Sequence, residues 1–165
     1  MIHVDTATGL LTADGVSIRC EIGRGGAVPA ADKREGDGAT PIGRWPLRAV
    51  LLRADRVGRP AGLRLPWRWI RRDDGWCDDP ADPAYNRPVR HPYPASAERL
   101  WRADGLYDVI VVLGHNDSPV VPGAGSAIFL HCLEGRPTAG CVAIDRAALL
   151  ALVAQAEPDE VLTIS

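Results

Sequence analysis

The chain has 165 residues, 46% of them hydrophobic, and its 19 basic and 21 acidic side chains leave a formal net charge of -2. This length suits one domain with its own core, so we expect a single domain over residues 1–165. The balanced charge argues against a nucleic-acid partner and makes a small or peptide-like ligand the expected one. Abundant glycine and proline favour short strands and structured loops over a helical bundle.

The N-terminal segment MIHVDTATGLLTADG lacks the basic start and apolar core of a secretory signal. No segment reaches the roughly 20 apolar residues of a membrane helix, so no membrane partner is expected. We therefore expect a cytoplasmic location, or a periplasmic one if the N-terminus was trimmed. The four cysteines include no CxxC pair and are expected to be reduced thiols. We expect the protein to bind neither a metal nor a cofactor.

The first fifty residues read as short strands separated by turns. The polar stretch 31–39 is expected to be an exposed loop, because it offers nothing to a core. A tight turn is expected at Thr40-Pro41-Ile42-Gly43. The predicted strands are Ile2 to Val4, Leu10 to Thr12, Val16 to Ile22 and Trp45 to Leu52.

Residues 53–95 contain seven prolines and are interpreted as a long loop insertion that shapes a groove. Ser96 is expected to cap a short helix through Trp101, with Glu98 in its first turn. The segment YDVIVVL, Tyr107 to Leu113, is apolar on both faces and predicts a central strand.

The last third of the chain predicts three short strands and one helix. The strands are Ala127 to Leu130, Val142 to Ile144 and Val161 to Ile164. Asp145 is expected to cap the helix RAALLALVAQA, which Pro158 ends. The chain as a whole is predicted to be mainly β with one or two short helices.

The stretch SAIFLHCLEGRPTAGCVAI, residues 126–144, contains the clearest chemical signal. His131 ends one predicted strand and Cys141 starts the next, so an imidazole and a thiol meet if the strands pair. A neighbouring imidazole can activate a cysteine nucleophile. Gly140 would allow close approach of backbone and substrate, and the N–H groups around Gly140 and Cys141 would form an oxyanion hole. A buried structural cysteine is the alternative.

Two segments here resemble the signature of the L,D-transpeptidase (YkuD-type) catalytic domain family. They are Ile128-Phe129-Leu130-His131 and Thr138-Ala139-Gly140-Cys141-Val142. The stretches KREGDGATPIG (33–43) and ERLWRADGLYDVIVVLGHN (98–116) are similar to other blocks of the family, in a short branch without a signal. The resemblance covers nearly the whole chain and implies a YkuD-like β-sandwich with a long loop insertion.

The resemblance implies that Cys141 is the nucleophile, that His131 is its base, and that Thr138 and Gly140 shape the turn and the oxyanion site. In this family the thiol attacks the carbonyl of the third residue of a peptidoglycan stem and expels the terminal D-alanine. Two positions depart from the family pattern. Ala139 stands where most members have a second histidine, and Ala143 where most have Asn or Arg.

Six further residues are candidates for substrate binding, each with a plainer alternative. Arg136 would pair with a ligand carboxylate, or is simply exposed. Asn116 would hold a substrate amide, while His115 either caps a strand or lines the site. Three residues of the insertion are our first choices there, against a solvated loop: Tyr85, Asn86 and Arg87. Cys132 is expected to face the core, because neighbouring strand residues point to opposite faces.

The leading hypothesis is a cytoplasmic L,D-carboxypeptidase of peptidoglycan recycling that acts on muropeptide stems. An L,D-transpeptidase that cross-links stems or exchanges D-amino acids is the close alternative. A non-catalytic muropeptide-binding module is the alternative from another class. A metal site formed by His115, His131, Cys132 and Cys141 is disfavoured because it lacks ligand spacing. The sequence does not indicate the oligomeric state.

Overall fold

The computed structural model describes all residues from 1 to 165 and contains thirteen strands, one 3₁₀ turn at Ala30–Asp32 and one α-helix. The helix is α1 (Arg146–Gln155). The strands are β1 (Ile2–Asp5), β2 (Leu10–Ala13), β3 (Val16–Glu21), β4 (Ala27–Pro29), β5 (Thr40–Leu52), β6 (Trp67–Trp69), β7 (Asp74–Cys77), β8 (Pro88–Arg90), β9 (Ala97–Arg99), β10 (Val109–Leu113), β11 (Phe129–Cys132), β12 (Val142–Ile144) and β13 (Val161–Ile164).

Ten of the strands form one sheet that closes on itself through β5. The order is β10, β11, β12, β3, β2, β1, β13, β5 and β4, with β6 also paired to β5. The 13-residue strand β5 pairs with β13 through its residues 43–46 and with β10 through its residues 47–52. The two halves of the sheet therefore share one strand and enclose the core between them. The predicted mainly β, sandwich-like architecture is confirmed.

The core is divided between the two faces of β11. Twenty-three buried residues form the larger cluster, to which the strand and its lead-in contribute Ile128, Leu130 and Cys132. Nine form a smaller cluster, which includes Phe129 and Cys141. This division follows the two-residue alternation of strand side chains. It confirms Cys132 as a core residue.

The helix α1 begins as the sequence predicts. The Asp145 carboxylate accepts hydrogen bonds from the N–H groups of Ala147 (2.9 Å) and Ala148 (3.1 Å), as an N-cap does. Its buried side chains, Leu149, Leu152 and Val153, pack on the larger cluster. No helix in the structure combines the length and the apolar character that crossing a bilayer requires.

The tight turn predicted at residues 40–43 is wrong, because these residues begin β5. Residues 40–42 pair in parallel with β4. Thr40 is fully buried, and its hydroxyl accepts a hydrogen bond from the Gly23 N–H at 2.8 Å. Long-range pairing thus outweighs the local turn preference of the Pro-Ile-Gly sequence.

The short helix predicted from Ser96 is also wrong, because residues 97–99 form β9. This strand lies against β7, which pairs on its other side with β8 in a separate three-stranded sheet. The edge of β7 that faces residues 97–99 offers backbone hydrogen bonds, which a single helical turn in this segment could not form. The insertion is therefore more regular than the proline count predicts. Its small sheet packs against β10 and β11 through Trp76.

Candidate active site

A cleft of about 490 Å³ opens at the junction of the large sheet, the insertion and the loop around residue 35. His131 and Cys141 both line it, as does Thr138. The cleft is polar, since charged side chains from five separate segments of the chain also face it. Those that matter below are Lys33, Glu35 and Glu98, together with Tyr107.

Cys141 lies immediately before β12, beside the strand residues that precede His131. Its Sγ donates a hydrogen bond to the Ala127 carbonyl oxygen at 3.1 Å and accepts one from the Phe129 N–H at 3.3 Å. The residue is 7% exposed, and burial raises the pKa of its thiol to about 12, with the charge of Glu98 acting in the same direction. In the resting protein the sulfur is therefore a protonated thiol.

His131 belongs to β11 and is equally enclosed, at 4% exposed. Its Nδ1 lies 2.9 Å from the Cys132 carbonyl oxygen, and because a carbonyl only accepts, Nδ1 carries the proton. The lone pair of Nε2 is left to act as a base. Burial lowers the pKa of this imidazole to about 4, aided by the positive charge of Arg102. The base is thus neutral at physiological pH.

The sequence predicts the thiol held against the imidazole, but the structure contains no hydrogen bond between these two groups. In the parallel pairing of β11 with β12, His131 lies opposite Ala143. Cys141 therefore lies opposite Phe129, two residues or about 7 Å further back along the strand. Both side chains face the same cleft, and the ring of Tyr107 contacts Phe129 and His131 edge-on, with centroids 6.0 and 5.3 Å apart. The resting pair is neutral, not a thiolate–imidazolium ion pair.

Thr138 and Gly140 form the turn that leads into Cys141. The Thr138 hydroxyl donates to the Cys141 carbonyl oxygen at 2.6 Å and accepts from the Gly140 N–H at 3.1 Å. Gly140 has a φ of 135°, and a Cβ there would lie 2.9 Å from the Ala39 carbonyl oxygen. The expected oxyanion role of the Gly140 N–H is wrong, because that group is already bonded. The Cys141 N–H remains as the candidate donor.

The loop predicted at residues 31–39 is only partly exposed, because Lys33, Gly38 and Ala39 are buried while most of its other residues are exposed. Lys33 is only 3% exposed, and its ammonium group forms an ion pair with Asp37. The positive charge of Lys33 lowers the pKa of Cys141, although by less than burial raises it. The loop can bury a lysine because Asp37 and the Arg34 carbonyl oxygen both accept from its ammonium group.

Glu98 and Tyr107 are cleft residues for which the sequence analysis predicted no role in the site. The Tyr107 hydroxyl donates to the Glu98 carboxylate, and burial raises the pKa of both groups. The sequence predicted Glu98 on a helix, and this prediction did not indicate that its side chain faces the cleft. The available signal was a tyrosine at the start of a buried strand, where a hydroxyl requires a polar partner.

His115 and Asn116 do not line the cleft. The amide of Asn116 donates to the carbonyl oxygens of Val121 and Gly125, both at 3.0 Å, and its oxygen accepts from the Val121 N–H at 2.8 Å. His115 is 5% exposed, and its Nε2 lies 2.9 Å from the Ala124 carbonyl oxygen. Both side chains hold the loop before β11, so neither contacts the cleft directly.

The three candidate residues of the insertion also make contacts within the protein and do not line the cleft. Tyr85 and Asn86 are buried, at 2% and 5% exposed, and lie behind the cleft wall. Arg87 is exposed and donates to the Asp117 carbonyl oxygen at 2.8 Å, away from the cleft. Of the insertion, residues 53–95, only Asp78 lines the cleft, and Glu98 lines it from β9, just after the inserted segment.

Arg136 lies at the cleft rim, with 61% of its side chain exposed. Its guanidinium is 3.7 Å from Asp104 and 3.9 Å from Glu134, distances too long for strong ion pairs. The group is therefore available to a ligand anion. No group of three or more His, Cys, Asp or Glu side chains is arranged to hold a metal ion.

The comparison with protein families identifies the chain. The model of the YkuD family, the L,D-transpeptidase catalytic domain, matches residues 1–164. No curated protein and no solved structure gives a significant match. The match supports a cysteine-dependent enzyme of the L,D-transpeptidase type that acts on peptidoglycan stem peptides. On this match over nearly its whole length, the chain belongs to the YkuD family of L,D-transpeptidase catalytic domains.

Proposed function

We propose that the protein is an L,D-carboxypeptidase that removes the terminal D-alanine from tetrapeptide stems of soluble muropeptides. Cys141 would attack the carbonyl of the third stem residue, and water would release the product. The observation that supports this proposal is the presence of Cys141 and a neutral His131 in one cleft of about 490 Å³.

The chemistry requires that proton transfer accompanies attack, because the resting thiol and imidazole are both neutral. The two groups are not in hydrogen-bond contact, so as the Sγ–C bond forms the thiol proton would pass through one water in the cleft to Nε2 of His131. The Cys141 N–H would stabilise the developing oxyanion. The C–N bond then breaks, and the imidazolium protonates the departing amine of D-alanine. A water molecule gives its proton to His131 and attacks the thioester, which regenerates the thiol and yields a tripeptide.

Water is favoured as the acceptor by the size of the cleft. A cleft of about 490 Å³ falls within the range that holds one drug-sized ligand. One tetrapeptide arm is of that size, and water is the small and abundant nucleophile that needs no further space beside it.

We extend the proposal to the cytoplasm, where wall fragments would be recycled as free peptides. All four cysteines are free thiols in the structure, the state that a reducing compartment maintains. Cell fractionation with an antibody against the protein tests this location, and detection only in the cell envelope would contradict it.

The deciding experiment incubates the purified protein with a disaccharide-tetrapeptide, with and without an added D-amino acid, and analyses the products by mass spectrometry. Tripeptide and free D-alanine are expected. Dimers or D-amino-acid exchange as the main products would instead assign a transpeptidase. Binding of the tetrapeptide without any product would assign a binding module. The Cys141→Ala variant is the control and is expected to be inactive.

A further inference from the structure

The backbone that receives the Cys141 thiol has an unusual conformation. Residues 125–127 precede β11 and lie outside the regular strand pairing. Ala127 has a φ of 52°, in the left-handed region that residues other than glycine rarely adopt, and Gly125 has a φ of 99°. The Ala127 carbonyl oxygen, which accepts from Sγ at 3.1 Å, is therefore directed by a strained backbone that other contacts must hold.

Asn86 provides one of these contacts from the insertion. Its Oδ1 accepts from the Ala127 N–H at 3.0 Å and from Nε1 of Trp76 at 2.9 Å. Its Nδ2 donates to the carbonyl oxygens of His115 (3.1 Å) and Asn116 (2.8 Å). Both acceptor sites and both donors of the amide are thus engaged, so the side chain has a single satisfied orientation.

Tyr85, the preceding residue, holds the other end of the segment. Its hydroxyl accepts from the Gly125 N–H at 3.0 Å and donates to the Glu35 carboxylate. The same carboxylate oxygen accepts from the Ser126 hydroxyl at 2.7 Å. Two adjacent residues of the insertion therefore bind two of the three N–H groups in segment 125–127.

We propose that Tyr85 and Asn86 are positioning residues for the nucleophile, because they hold the segment whose Ala127 carbonyl oxygen accepts the hydrogen bond from the Cys141 thiol. The inference depends on the proposed function only in taking Cys141 as the nucleophile. It assigns to the insertion a role in the chemistry that is separate from substrate binding.

The proposal predicts a specific effect on the thiol. A carbonyl oxygen beside Sγ favours the protonated form, whereas the Phe129 N–H favours the thiolate. Freeing the Ala127 carbonyl therefore makes the thiol more acidic and leaves the sulfur less precisely aimed. The first effect appears in the pH dependence of thiol alkylation, and the second as a lower kcat with little change in KM.

The test compares Asn86→Ala with Trp76→Phe. Both variants remove a partner from the same buried amide network and are expected to lower Tm, but only the first frees Ala127. The alkylation rate of Cys141 by iodoacetamide is followed from neutral to alkaline pH by peptide mapping. In Asn86→Ala we expect a downward shift of the alkylation pKa and a kcat lowered roughly 10- to 100-fold at similar KM. Trp76→Phe is expected to keep the wild-type pKa and kcat per folded molecule.

Tyr85→Phe is the second variant, since it deletes one oxygen atom and retains the packing of the ring. We expect a smaller shift in the same direction. Wild-type alkylation profiles in both Asn86→Ala and Tyr85→Phe would overturn the proposal, as would an equal shift in Trp76→Phe. Alkylation requires no substrate, so this result is independent of whether the tetrapeptide is hydrolysed. If the wild-type enzyme does not hydrolyse the tetrapeptide but the variants still show the shifted alkylation pKa, the proposed function alone is contradicted.

Discussion

The two faces of β11 each have a buried cysteine beside them, and only Cys141 of the two lines the cleft. Cys132 lies in the larger cluster, where burial raises the pKa of its thiol to about 11. Cys141 faces the smaller cluster, and burial raises its pKa to about 12. Thiol acidity therefore does not distinguish the proposed nucleophile, Cys141, from Cys132. What distinguishes Cys141 is that it lines the cleft together with His131.

The largest expected effect comes from removing each of these two thiols in turn. Cys141→Ala is expected to lower tetrapeptide turnover by roughly 10⁴-fold or more, because no other group can form the thioester. Cys132→Ala is expected to retain turnover while losing about 1–2 kcal/mol of stability from the core. Turnover of the tetrapeptide and thermal unfolding measure the two effects. Equal loss of turnover in both variants, with both folded, would remove the distinction between the faces.

The second prediction concerns the base. His131→Gln is expected to lower kcat by roughly 10²- to 10⁴-fold, since glutamine cannot accept the thiol proton. In the wild type, kcat/KM requires the neutral imidazole, so activity is expected to persist as the pH falls and to be lost only near pH 4, the pKa of His131. The pH profile of kcat/KM over the range in which the protein remains folded checks this. An acid limb near the ordinary histidine value of 6.5 would show that the cleft is more hydrated than the structure implies.

A third prediction compares two glycines of the loop between the catalytic strands. Gly140→Ala would place a Cβ 2.9 Å from the Ala39 carbonyl oxygen, so we expect a loss of about 1–3 kcal/mol and a displaced nucleophile. Gly135→Ala is the matched control, because Gly135 also has a positive φ, of 68°, but no atom lies within 4 Å of its Cβ position. Thermal unfolding and turnover of both variants are measured. An active Gly140→Ala variant as stable as Gly135→Ala would contradict the close approach.

The smallest expected effect is at the rim. Arg136→Ala removes an exposed charge with weak partners, so stability is expected to change by less than about 1 kcal/mol. If the guanidinium binds a stem carboxylate, KM rises several-fold while kcat is retained, and Arg136→Lys recovers part of the loss. Unchanged KM in Arg136→Ala would reduce Arg136 to a solvated side chain. Steady-state kinetics at low ionic strength makes the difference easiest to see.

Local patterns predicted the existence of the two strands around residues 133–141, but the first, β11, begins at Phe129 and not at Ala127, which has a left-handed φ of 52°. Alternation in residues 127–132 correctly separated Cys132 from His131, and Asp145 correctly marked the start of α1. The errors at Thr40 and Ser96 share one cause. In both places a short segment is a strand only because a distant strand offers it hydrogen bonds.

The site was less predictable than the strands. The pair Cys141 and His131 could be chosen from the sequence, but their offset along the strands could not, because it depends on the register of β11 and β12. Lys33 and Glu98 are charged residues in segments predicted to be an exposed loop and a helix. Their positions in the cleft follow from contacts with Asp37 and Tyr107, which no local pattern contains.

The hydrogen bond from Sγ to the Ala127 carbonyl oxygen has a consequence for the covalent intermediate. Acylation replaces the hydrogen on sulfur with carbon, so this buried oxygen loses its donor while the thioester exists. An unmet buried acceptor costs about 1–3 kcal/mol, which raises the energy of the thioester relative to the free enzyme. Deacylation restores the lost contact, and the fold itself therefore favours release of the product. A Cys141 thioester that persists in intact-protein mass spectra after substrate is exhausted would contradict this.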